Sequence, residues 1–142
     1  MATAADLDRE LTTLLRERGQ RVTPQRLVIH RVLRERDRHV TAEDLLEAVD
    51  DVLPAVSLPT VYATLDLFEE LGVVRRVAAG GGAAVYDSRS APHHHLVCRR
   101  CGAVSDLDAA VSLEPALAGA RAAGFRPEHV ELTLSGLCAR CA

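Results

Sequence analysis

The chain has no lysine, since all 17 of its basic residues are arginine, and no cysteine before residue 98. It also has no run of 18 or more apolar residues and no internal repeat. Without a long apolar run no segment reads as a membrane span, and Met1-Ala-Thr-Ala-Ala-Asp6 lacks the basic-then-apolar pattern of a secretion signal. A cytoplasmic protein is expected. The four cysteines cluster as Cys98-x-x-Cys101 and Cys138-x-x-Cys141, which argues against a distributed disulfide framework and for one local site built from reduced thiols. No His-Glu-x-x-His helix or nucleophile elbow is present to support an enzyme.

The chain does contain enough apolar residues, 48% of 142, to bury a core as one ordinary domain or two small ones, and the pattern below favours two. Its net charge of -3 hides a polarised distribution. Nine arginines fall between Arg9 and Arg38 against four acids, whereas residues 39–70 hold eight acids and no arginine. A face with that local excess can neutralise phosphates, and its binding should depend strongly on salt.

Leu7, Leu11, Leu14 and Leu15 give residues 5–18 an amphipathic helical stripe that stops at Gly19. Thr23-Pro24 is an N-cap followed by a proline in the first turn, starting a second helix that runs to about Arg36. Thr41-Ala-Glu-Asp44 starts a third, which Pro54 terminates, and Ser57-Leu-Pro-Thr60 starts a fourth carrying Val61, Leu65 and Phe68 to Gly72. The third and fourth helices form a helix-turn-helix pattern. Residues 73–77 and 83–86 then flank Gly80-Gly-Gly82, a hairpin signal, and helices followed by a two-stranded ribbon spell a winged helix. Ser88-Arg-Ser-Ala-Pro92 reads as a hinge. Beyond it, residues 95–98 should form a strand, residues 107–123 one or two helical pieces interrupted by Pro115, and Val130–Leu134 a second strand. The expected class is α+β. A winged-helix DNA-binding domain is expected over residues 1–87, a hinge over 88–92, and a small C-terminal α/β metal-binding domain over 93–142, to which the family resemblance given below adds dimerisation.

Two Cys-x-x-Cys pairs can close a tetrahedral thiolate shell, which leaves no open position for substrate. Cys98, Cys101, Cys138 and Cys141 are therefore expected to hold a structural zinc ion. His93-His94-His95 lies just upstream, and the period of two in a strand puts His93 and His95 on one face as a two-nitrogen clamp.

Several motifs together resemble the ferric uptake regulator family over nearly the whole chain. They are Thr23-Pro-Gln-Arg26, Thr60-Val-Tyr62 with Leu65, Tyr86-Asp87, His93-His-His95-Leu-Val-Cys98-Arg-Arg-Cys101-Gly102, and Gly136-Leu-Cys138-x-x-Cys141. The resemblance implies a homodimeric, metal-dependent repressor that binds an inverted repeat in double-stranded DNA. It implies a regulatory metal site at His39, Asp87, His93, His95 and Asp106. Three nitrogens and two carboxylates suit Fe2+ or Mn2+ and tolerate Zn2+. Aspartate at both carboxylate positions resembles the peroxide-sensing branch, where an oxidised ligand histidine, here His39 or His93, would release the metal; zinc- or iron-uptake regulation is the alternative. A further family site has Pro92 at its first position here and falls near Leu113 or Glu114 at its second, with His129 able to contribute. For DNA contact the candidates are Arg18, Arg21, Gln25, Arg26, Ser57, Thr60 and Tyr62, with Ala63 departing from the family's polar or basic residue. The rival from another class is a zinc hydrolase using the histidine cluster with Asp87 or Asp106 as base.

Overall fold

The computed structural model describes residues 2–36, 39–77, 84–88 and 93–142. They fall into two compact units, one reaching residue 77 and including 84–88, the other running from residue 93 to the end.

In the first unit, α1 (Ala4–Glu17), α2 (Pro24–Arg36), α3 (Ala42–Val49) and α4 (Leu58–Glu70) pack around one core. Short polar side chains set the helix starts, each meeting backbone N–H groups that have no partner inside the helix. Thr3 and Thr41 each form a capping box, with Asp6 and Asp44, and Ser57 accepts from the Thr60 N–H with Pro59 in the first turn. The apolar stripes then converge, with Leu11, Leu15, Ile29, Leu33, Leu45, Val61, Leu65, Phe68 and Tyr86 essentially inaccessible to solvent.

The ribbon has three strands where two were expected. β1 (Val40–Thr41), β2 (Arg75–Val77) and β3 (Val85–Asp87) form an antiparallel sheet in the order β1-β3-β2. At two residues, β1 is too short to show alternation in sequence. The glycine turn at 80–82 lies outside the described residues, as do residues 89–92 of the expected hinge. Ser88 is described, and its buried hydroxyl donates to the Leu33 carbonyl at 3.1 Å.

The second unit contains β4 (His94–Cys98), β5 (Val104–Leu107), α5 (Glu114–Ala122) and β6 (Thr133–Gly136). Its sheet has the order β5-β4-β6, with β5 antiparallel and β6 parallel to β4. Three details differ from the sequence reading. β5 was not foreseen. Pro115 sits in the first turn of α5 and starts this helix rather than interrupting one, as its fixed φ and missing N–H allow. β6 begins at Thr133 rather than Val130, because its pairing is drawn toward the knuckle: Cys98 stands beside Gly136, and the Arg99 N–H donates to the Gly136 carbonyl. Among the described residues no helix is long and apolar enough to cross a membrane.

Candidate metal centres and nucleic-acid interface

The four cysteines come from the ends of two neighbouring strands. Cys98 closes β4, Cys101 follows in the turn to β5, and Cys138 and Cys141 follow β6. Gly102 allows that first turn by adopting φ +74°, a left-handed conformation costly for other residues, and its N–H donates to the Cys98 carbonyl. All four thiols are free and their sulfurs lie within 4.8 Å of one another. Cys101 Sγ and Cys138 Sγ are 3.8 Å apart. That is the edge of a tetrahedron whose centre lies about 2.3 Å from each sulfur, the usual zinc–thiolate distance. Backbone N–H groups of Cys101 and Cys138 bring the Cys98 thiol down to about 5, and those around Arg140 lower Cys138. Cys141 is pushed up to about 12 by its sulfur neighbours, Cys138 first. Crowded thiols that share protons so unevenly are those a dication would deprotonate and bind.

The expected regulatory ligands form a pair in one unit and a trio in the other. His39 immediately precedes β1, and the pairing of Val40 with Tyr86 places it opposite Asp87 at the end of β3. His39 Nε2 lies 3.1 Å from Asp87 Oδ2, with the carboxylate only 1% exposed. In the second unit His95 faces Asp106 directly across β4 and β5. His93 Nε2 lies 3.4 Å and His95 Nε2 3.9 Å from Asp106 Oδ1. The two imidazoles meet edge to face, 4.4 Å between centroids. His94 points elsewhere, and its Nδ1 accepts from the Leu132 N–H at 3.0 Å. Glu131, which the sequence reading passed over, places Oε1 2.9 Å from His95 Nδ1. Its only signal was an acidic residue in a strand-like stretch, and that is commonplace. His129 is exposed and joins no group of three or more metal-binding side chains among the described residues.

Of the seven DNA-contact candidates, Gln25, Arg26 and Thr60 share one cavity. Thr23, Gln25, Arg26, Pro59, Thr60 and Ala63 line a cavity of about 360 Å³ between the beginnings of α2 and α4. Arg26 donates to the Arg21 carbonyl, which holds two of the three named arginines together, while Arg18 caps the end of α1. Ser57 Oγ and Thr60 Oγ1 are 3.1 Å apart, and the Tyr62 hydroxyl donates to Glu43 at 3.3 Å. Arg76, not singled out from sequence, lies 5.6 Å above the Tyr86 ring and donates to its hydroxyl.

Residues 17–135 match the model described as "Ferric uptake regulator family". The peroxide operon regulator of Bacillus subtilis is 32% identical over 133 residues, 94% of this chain and 92% of that protein. Ferric uptake regulation protein 1 of Mycolicibacterium fortuitum is 38% identical over 124 residues, 87% of this chain and 76% of that protein. Among solved structures, a zinc uptake regulator complexed with zinc and DNA is similar, at 29% identity with a TM-score of 0.66 over 99% of this chain and 95% of that one.

Proposed function

Because this chain belongs to the ferric uptake regulator family, we propose that it is a cytoplasmic, homodimeric repressor that binds an inverted repeat in DNA when a regulatory metal is loaded. The observation that carries the reading is the ready-made donor geometry. His39 already faces Asp87, and His93 and His95 already face Asp106. Together they offer three nitrogens and two carboxylates, a set suited to Fe2+ or Mn2+ and compatible with Zn2+. Cys98, Cys101, Cys138 and Cys141 hold a separate, structural zinc. The family is one of transcriptional regulators, which removes the hydrolase alternative.

In this reading residues 1–87 are the DNA-binding domain, 88–92 the hinge and 93–142 the dimerisation domain. Ligands drawn from both domains make their arrangement depend on the metal, so the ion favours the DNA-competent state by its greater affinity for it. Arg18, Arg21 and Arg26 neutralise phosphates. Gln25, Ser57, Thr60 and Tyr62 stand at the helix starts, where side chains can reach base edges. The dimer surface is supplied by the second unit, where Leu96, Phe125, Leu134 and Leu137 are exposed in the single chain and α5 buries no residue.

As to the signal, Asp87 and Asp106 resemble the peroxide-sensing branch, and the Bacillus subtilis relative supports that reading. Bound Fe2+ supplies one-electron reduction of hydrogen peroxide, whereas Mn2+ does not readily do so. The chain's part is to present His39 and His93 beside that ion. An imidazole that gains one oxygen atom, as peroxide is reduced to water, is a poorer donor. The higher identity to the Mycolicibacterium fortuitum protein favours plain iron regulation as the second reading. Mass spectrometry of peptides containing His39 and His93, after peroxide treatment of the Fe2+ and Mn2+ forms, separates the two. Peroxide sensing expects one added oxygen atom and lost operator binding in the Fe2+ form alone. Unmodified histidines with binding intact would return the chain to metal uptake.

A further inference from the structure

His95 is only 1% exposed, and it has a carboxylate on each side. Nε2 faces Asp106 at 3.9 Å, and Nδ1 faces Glu131 at 2.9 Å. A neutral imidazole has one protonated and one bare nitrogen, and only the bare one can bind a metal. Glu131 is held in place by the backbone around it. His95 pairs with Thr133 in the parallel ladder, and the His95 N–H donates to the Leu132 carbonyl at 2.9 Å. The same short segment faces the neighbouring histidine with the opposite polarity, since the Leu132 N–H donates to His94 Nδ1 and leaves that ring's proton on Nε2.

We propose that Glu131 is a positioning residue for the regulatory ion: its carboxylate takes the Nδ1–H of His95, so that Nε2 is the bare nitrogen turned toward Asp106 and His93. The proposal rests on the regulatory-site reading above. A carboxylate behind a metal-binding imidazole fixes the ring's orientation and raises its basicity, and losing one typically weakens metal binding 10- to 100-fold. Glu131 would thus act through His95 and touch no metal itself.

The test uses the full chain with its cysteine site zinc-loaded, and Co2+ as a visible probe of the second site. Glu131→Ala should weaken Co2+ binding by about 10- to 100-fold. Glu131→Gln, which keeps an acceptor oxygen but not the charge, should fall in between. In a His95→Ala background, Glu131→Ala should cost nothing further. A second readout needs no Co2+: nitrogen NMR of the wild-type chain should show His95 in its Nδ1–H tautomer, and Glu131→Ala should lose that preference. A wild-type His95 protonated on Nε2 would overturn the proposal. So would unchanged affinity in Glu131→Ala, or an equal loss with and without the His95 imidazole. If wild type and His93→Ala take up Co2+ alike, the five-ligand reading fails instead, while the tautomer still decides what Glu131 does.

Discussion

Burial governs the behaviour of His30 on α2. It is 1% exposed and edge-on to Phe68, with 6.0 Å between ring centroids, and among the described residues its Nδ1 has no hydrogen-bond partner. Burial pushes its pKa below the ordinary 6.5; Glu10 and Asp8 pull it up, and Arg34 pushes it further down. The folded state therefore resists protonation. An unfolded chain binds that proton from about pH 6.5 downward, so stability should fall as pH drops from there to the depressed folded value. His30→Leu removes the titration and fills similar space. Thermal melts of the zinc-loaded chain between pH 7.5 and pH 5 should show a shallower acid-side loss for the variant. Equal slopes for variant and wild type would place the proton uptake at another group.

At the scale of elements, what was legible was what local chemistry dictates. Thr41 and Ser57 announce helix starts because few residues can satisfy an exposed N–H from the cap position, and both caps are present. β1 and β5, at two and four residues, are too short for the period of two to show. Pro115 carried an ambiguous message, since proline both breaks helices and begins them. The caps also separate folding from recognition. Thr41→Ala should lower unfolding stability by about 1 kcal/mol and leave operator affinity at saturating metal unchanged, whereas Ser57→Ala should lower both. Denaturant titrations paired with gel shifts check this; equal DNA affinity for the two variants would remove Ser57 from the interface. Deeper in the same helix, Phe68→Ala empties a fully buried site and should cost about 3–5 kcal/mol.

For the whole molecule, the cysteine site could be read from spacing alone because a tetrahedral shell constrains both loops. His39, Asp87 and Asp106 gained meaning only through family resemblance, as each by itself is an ordinary helix-flanking or strand-end residue. Glu131 could not be read at all, because its contact with His95 depends on the parallel register of β6. A net charge of -3 does not prevent DNA binding if the arginine face does the neutralising. Replacing Arg18, Arg21 or Arg26 singly should reduce the slope of log affinity against log salt by about one while sparing sequence preference. An unchanged slope would clear that residue of phosphate contact. Cys98→Ser or Cys138→Ser should release zinc and dissociate the dimer, as elemental analysis and sedimentation would show; a zinc-replete dimeric variant would refute the structural role. β4, running from His94 to Cys98, joins the proposed regulatory site to the proposed zinc site. Its four steps span about 13 Å, so the frame of one metal site is the far end of the other. If zinc at Cys98 fixes that strand, loading it first should strengthen binding of the regulatory ion. In a cell short of zinc, promoters under this protein would open even with iron and manganese plentiful.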